Sequence, residues 1–302
     1  MRTTLQLVKR NSLMYLRDKS SVFFSMLSML IVLGLMVVFL GNMNRDNVVN
    51  LLSEYGEDRN TDVDMENAEH LIEMWTVAGI LVVNAVMVTL TVIGTRIQDE
   101  EKKRLQSFYV APVKPVKIAL GYIFSALFIG TIMCILTLAV AEAYIFFKGG
   151  SILNLKETLT VIGLILLNVF LYSCILFFVG MFVKSDSAWS GFGTVIGTLV
   201  GFVGGIYLPV GFLPEKVQTV LKALPVLHGN AMMRDIFTKR ALEETFAGVP
   251  KEVVAEYKNY MGITVEVGGE VLSGEIQVAF LLGFAIIMII GSTIAWKKFD
   301  RK

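Results

Sequence analysis

The stretch Arg96-Ile97-Gln98-Asp99-Glu100-Glu101-Lys102-Lys103-Arg104-Leu105-Gln106-Ser107-Phe108-Tyr109-Val110-Ala111-Pro112-Val113-Lys114-Pro115-Val116-Lys117 sets the architecture of this chain. It is a short, densely charged insert between two long apolar segments, Met74–Thr95 and Ile118–Phe147. A loop that only joins two apolar segments needs no such mixture of charges. Charge followed by an apolar and aromatic stripe (Leu105, Phe108, Tyr109 and Val110, closed by Pro112) suits a short helix lying at a membrane surface against a soluble partner.

Composition supplies the membrane. Of 302 residues, 55% are hydrophobic and only 18% charged, where a soluble domain is nearer a quarter charged. Six runs approach or exceed the roughly 18 residues that suggest a crossing: Ser20–Gly41, Met74–Thr95, Ile118–Phe147, Thr158–Val183, Ser187–Leu208 and Ile276–Trp296. The third is interrupted by Glu142 and is longer than one straight crossing needs, so a tilt, a kink or an early end is expected. The first is too long for a signal-peptide core and no small-residue cleavage pattern closes it, so it stays as a helix. The expectation is an all-α polytopic membrane protein with six transmembrane helices, residues 1–302 forming one domain. Residues 1–19 place Leu5, Val8, Leu13 and Leu16 among Lys9, Arg10, Arg17 and Lys19. That pattern fits an interfacial helix drawn to anionic lipid; a disordered basic tail is the alternative.

Orientation follows Lys and Arg. Both termini, the 96–117 insert and the turn Lys184-Ser185-Asp186 are basic and fall on one side, the cytoplasm. The other side receives 42–73, where Arg45 and Arg59 face nine acidic residues, the Gly149-Gly150 turn, and 209–275. In the first of these, Glu66, Glu69, His70 and Glu73 share a helical face, which fits a solvated acidic surface or, less simply, converging metal ligands. Asp62, Asp64, Glu66 and Glu73 also mimic a calcium loop, but Asn67 stands where that loop needs glycine. In 209–275, Val217, Val220, Leu221 and Leu224 make a short amphipathic helix able to dip back toward the bilayer. Residues 251–261 read as a further helix, and Ile263, Val265 and Val267, then Gly268-Gly269, then Val271, as a hairpin. Together these form a small external cap.

Gly193, Gly197, Gly201 and Gly205 recur every four residues in the fifth run and align on one helical face. Small residues let helices approach closely in lipid, so this face is a packing seam, within one chain or between two subunits. Cys134 and Cys174 sit inside runs three and four as small packing groups.

Catalytic chemistry is missing. No phosphate-binding glycine loop occurs, and no Cys/His cluster. His228, between Pro225 and Gly229 with Val226 and Leu227, reads as a turn residue. The chain is therefore read as a non-enzyme, without catalytic or metal-binding residues. Within the spans Glu142 is the ionisable residue; it either serves a pathway or pairs structurally, with Lys148 the nearest cation. Asn84, Thr89, Thr91 and Asn168 either line a pathway or bond between helices. An ion-gradient-driven transporter or channel is the competing class, but such proteins usually place ionisable groups near mid-membrane, and Glu142 lies near one edge. A sensor or scaffold would leave the charged insert unexplained.

The segment Asp99–Val113 resembles the joint between spans two and three of ABC-2 type transporter permeases. Gly211-Phe212-Leu213-Pro214, then Pro225, then Met233-Arg234 is similar to a second signature of that family. Lys103 departs from it, since many members carry glycine there. The resemblance implies a permease subunit of an ATP-driven exporter, its 96–117 segment a coupling helix in which Glu100, Glu101, Arg104, Leu105 and Phe108 match the docking residues. It also implies an ABC ATP-binding subunit as partner, holding the ATP and Mg that this chain does not bind. A second permease subunit, identical or paralogous, and membrane lipids complete the partners; nucleic acid is not among them. The expected location is integral to the membrane, a bacterial plasma membrane, and the expected cargo is lipophilic or amphipathic, moved out of the cytoplasm or the inner leaflet.

Overall fold

The computed structural model describes residues 2–35, 41–55, 59–110, 113–204 and 208–299. These are almost entirely helical. The basic amino-terminal helix α1 (Arg2–Arg17) leads into α2 (Lys19–Leu35) and α3 (Gly41–Ser53). Then comes α4 (Thr61–Glu101), the longest element at 41 residues. At 1.5 Å per residue it is roughly 60 Å long, about twice the thickness of a bilayer core. Its start is specified locally: the Asn60 side chain accepts from the Asp62 and Val63 backbone N–H groups, and Asp62 and Asp64 lie in the first turn, where negative charge complements the helix dipole.

The length of α4 corrects the sequence reading at both ends. The acidic 42–73 segment, read as a partly helical loop, is α3 followed by the beginning of α4, so its second half belongs to the long helix. The 96–117 insert is not one surface helix. Its first six residues finish α4, Lys102 and Lys103 break the chain, and the separate helix is α5 (Arg104–Val110). Next are α6 (Pro115–Phe147), begun by a proline in its first turn, α7 (Leu155–Gly180), begun by an Asn154–Glu157 capping box, and α8 (Asp186–Val203). The long third run is one unbroken helix.

Among the described residues, four helices are long and apolar enough to cross a membrane: α4, α6, α7 and the last helix, α13 (Gly274–Phe299). The other two expected spans fall short for different reasons. The helix α2 has 17 residues, and the run continues into residues 36–40, which lie outside the described residues. The helix α8 has 18 residues but spends many of them on glycine, serine and threonine. In α4, 83% of the most apolar window is buried inside the protein, against 17% in α13, so α4 is the central post and α13 the periphery. The outward side of α13 shows Ile276, Ile286, Ile287, Ile290 and Ile294, as expected of a surface solvated by lipid.

The glycine face of α8 packs within the chain. A Cβ at Gly193 would stand 3.0 Å from Leu90 Cδ2, and one at Gly197 3.1 Å from Met87 Cε. The Trp189 indole fills the notch at Gly94 and donates to the Leu90 carbonyl at 3.1 Å. Gly201 is buried; Gly205 lies outside the described residues.

The capped end combines both expected external segments. After a 3₁₀ turn at Val210–Phe212 come α9 (Glu215–Lys222), α10 (Pro225–Phe237), α11 (Lys239–Thr245) and α12 (Lys251–Tyr260). A two-stranded hairpin follows, β1 (Glu266–Val267) with β2 (Glu270–Val271), turning on Gly268 and Gly269 at φ 64° and 85°. Positive φ at both positions is what a type I′ turn requires and glycine supplies freely. Val48, Leu52, Leu71, Trp75, Phe246, Tyr257 and Met261 form one core shared by α3, the start of α4, α11 and α12. Arg59 straps it, bonding both Asp64 oxygens at 2.8 Å and the carbonyls of Thr245 and Ala247 at 3.0 Å. Below it the fully buried Arg234 stands over the Trp75 ring at 4.1 Å. Trp75 Nε1 and Arg234 Nη1 both donate to the Met261 carbonyl, at 2.9 and 3.2 Å.

Gly197→Leu is expected to lower folding yield and thermal midpoint, at about 1–3 kcal/mol by analogy with overpacked cores. Thr198→Leu, at an exposed position of the same helix, should be neutral. The pair is compared by fluorescence size-exclusion profile and thermal melt in detergent.

Candidate functional site: a buried carboxylate under the charged insert

Three polar residues near the end of α4, Arg96, Gln98 and Asp99, point in three directions. Arg96 is buried, donates to the Gly180 carbonyl at the end of α7 at 2.7 Å, and lies 3.7 Å from Glu100. Gln98 reaches Asp186 at the start of α8, at 3.5 Å. Asp99 has no exposed surface. Arg10 of α1 grips its two oxygens at 2.7 and 2.9 Å, the Tyr122 hydroxyl of α6 donates to Oδ2 at 2.7 Å, and Arg104 of α5 stands 3.6 Å from Oδ1. Hydrogen bonding to Asp99 holds the Arg10 pKa above its ordinary value, against the opposing effect of burial. A two-pronged arginine–carboxylate bond of this kind is short, directional and strong. The last turn of α4 thus ties together α1, α5, α6, α7 and α8.

Local sequence explains the approach of α1. Gly121 on α6 leaves space that Leu7 occupies, a Cβ there falling 2.7 Å from Leu7 Cβ. The inward face of α1 is Leu7, Asn11, Ser12 and Tyr15, whereas Leu5, Leu13 and Leu16 lie on its outer surface. The apolar stripe expected to define α1 is therefore the side left outward, and a largely polar face is docked.

The predicted coupling residues separate into two groups. Leu105 is 2% exposed and belongs to the central core. Its expected place on an outward docking stripe is corrected: α5 uses it to anchor to its own chain. Glu100 is partly buried against Arg96. Glu101 is exposed, and Arg104 is half exposed. Exposed beside them are Lys102, Lys103, Gln106 and Ser107. Phe108 lies on α5, and its side chain is outside the described residues, as is Pro112. Lys103 has φ 58°, the left-handed region that favours glycine. The lysine thus adopts the backbone conformation that the glycine of the family pattern takes freely.

The predicted pathway residues do not form one line. Asn84 donates to Thr137 Oγ1 at 2.6 Å and also lines a cavity of about 330 Å³ between α2 and α4, with Ser20, Ser25, Phe24 and Thr91. Thr89 is fully buried and faces Gly130 of α6, away from that cavity. Asn168 bonds its own helix at the Leu164 carbonyl, and Gly229 of α10 gives it room. Glu142 accepts from the Leu153 N–H at 3.0 Å. The expected partner Lys148 instead bonds Glu69 and Glu73, each at 2.6 Å. His70 faces Ser151 at 3.2 Å, and Asp62 to Glu73 lie within α4, which leaves no calcium-type loop. His228 is not in a turn; it is buried in α10 with Nε2 2.8 Å from the Lys222 carbonyl.

Comparison with protein families matches residues 2–238 to the ABC-2 type transporter. The chain belongs to that family, and it is a permease subunit of an ABC transporter. The family implies partnership with an ABC ATP-binding subunit. A search of curated proteins finds no match. The matched region covers α1 through α10 and with them the whole Asp99 cluster; α11, α12, the hairpin and α13 follow it.

Asp99→Ala is expected to cost about 3–5 kcal/mol, the penalty for stranding one member of a buried ion pair. Amide hydrogen exchange should rise across α1 while α12 stays protected. Lys103→Gly should raise the thermal midpoint by relieving about 1 kcal/mol of left-handed strain, and Lys103→Val should lower it.

Proposed function

We propose that this chain is the membrane-spanning part of an ATP-driven exporter and that α5 with the end of α4 receives a separate ATP-binding subunit. The observation that carries the reading is the Asp99 cluster, which joins the exposed insert to α1, α4 and α6 through buried charge. A push on α5 would reach those helices together, because separating α1 from α4 strands the Asp99 charge and separating α5 or α6 removes a further group that faces it. ATP and Mg would sit in the partner. The docking surface would be Glu101, Lys102, Lys103, Gln106 and Ser107, with Leu105 holding the surface in place from inside.

In this reading α2, α4, α6, α7, α8 and α13 make six crossings of a bacterial plasma membrane, with both termini and α5 in the cytoplasm and the cap outside. A second permease subunit would complete the transporter. The α2–α4 cavity, with hydroxyl and amide groups beside Phe24, Ile80, Val83 and Val88, suits a lipophilic or amphipathic cargo taken from the cytoplasm or the inner leaflet.

Charge reversal at Glu101→Arg with Ser107→Glu should reduce recovery of the ATP-binding subunit on co-purification at least tenfold and leave membrane insertion intact. Leu105→Asp should instead reduce the amount of folded permease. Equal recovery with native and charge-reversed protein would refute α5 docking. Topology is read separately, after Cys134→Ala and Cys174→Ala. Asn60→Cys and Ala255→Cys should react with an impermeant maleimide in intact cells; Lys102→Cys should not.

A further inference from the structure

We infer that the capped end carries a binding site for an amphipathic organic cation, in the groove between α3, the 3₁₀ turn and α12. The groove has a volume of about 740 Å³. Its walls include four aromatic rings, Tyr55, Phe212, Tyr257 and Tyr260, and Glu256 is its sole charged residue among the described lining. Two polar atoms on the lining residues lack hydrogen-bond partners among the described residues: Asn44 Nδ2 and the Tyr257 hydroxyl, on residues 3% and 8% exposed. A buried donor without a partner costs free energy that a ligand acceptor can recover.

The chemistry converges on one ligand class. Aromatic faces attract cations, most strongly when the cation is organic and poorly hydrated. Glu256 adds a single negative charge; Lys258 on the same helix is engaged with Asp235 at 3.0 Å, and Arg45 on α3 with Asp46 at 2.8 Å. Apolar residues at the base, Val48 and Met261, accept a hydrophobic body. The site is held in shape. Gly211 brings the 3₁₀ turn against Tyr260 so closely that a Cβ would collide with the ring, and the Met261 carbonyl is fixed by Trp75 and Arg234. The groove would hold such a cation whichever way the transporter moves its cargo.

The test is equilibrium dialysis of purified full-length protein in detergent with tetraphenylphosphonium, and in parallel with tetraphenylborate, an anion of nearly the same size and shape. Tetraphenylphosphonium should bind saturably at one site per chain, and tetraphenylborate should not. Glu256→Gln, at an exposed position that folding tolerates, should weaken the cation about tenfold, and Tyr260→Ala by a similar factor. Glu244→Gln, an exposed carboxylate lining a different cleft, should leave binding unchanged. The site is overturned by absence of saturable cation binding, by equal binding of both ions, by full retention in Glu256→Gln, or by displacement of the cation with maltose.

Discussion

Asp99 is a carboxylate shut away from water at the end of the longest helix, and its charge is tolerable only because α1, α5 and α6 each bring a group to it. An ion pair in this setting is not primarily a source of stability, since desolvation offsets much of the attraction. Its consequence is a constraint. Removing Arg10 would leave the Asp99 charge with only the more distant Arg104 to compensate it, and removing Tyr122 would leave Oδ2 short of a donor, so the four helices share one arrangement at this end of the protein. Arg96 and Gln98 extend the same hub to α7 and α8 through the Gly180 carbonyl and Asp186.

The other end of α4 is held just as firmly, by different chemistry. Trp75 is packed in the cap core, donates to the Met261 carbonyl and lies beneath the Arg234 guanidinium. One helix of 41 residues thus connects a charged hub to an aromatic cap. Between them its sides are close-packed against α6, α7 and α8, with Gly130, Gly193 and Gly197 allowing the approach. An ABC permease in which force enters at α5 would have in α4 a stiff element spanning the molecule. An aromatic groove lies beside the cap, on the α3 and α12 side of the same helix.

The helical class, the location of the charged insert, the hairpin glycines and the glycine seam were legible because each is a local pattern: a long uncharged run, a period of four, two adjacent glycines. What was not legible depends on partners far away in sequence. Asp99 is indistinguishable in the sequence from Glu100 and Glu101; its role comes from Arg10 and Tyr122, brought in by folding. Leu105 read as part of an outward stripe because an amphipathic pattern does not say which side its own chain will cover. Lys148 lay near Glu142 along α6 but found Glu69 and Glu73 on α4, since a packed neighbour helix presents carboxylates closer than the turn below. The length of α4 was hidden by the acidic residues at its start, which mark a charged segment but do not end a helix.

The central claim is that α1 and α5 move as one body through Asp99. It is tested most directly by electron paramagnetic resonance distances between spin labels at Lys9→Cys and Ser107→Cys, both exposed, in protein that lacks its native cysteines and, once labelled, still co-purifies with the ATP-binding subunit. With the ATP-binding subunit present, the account predicts one narrow distribution at the same distance before and after addition of Mg-ATP. A shift of that distance, or its broadening when nucleotide binds, would contradict it.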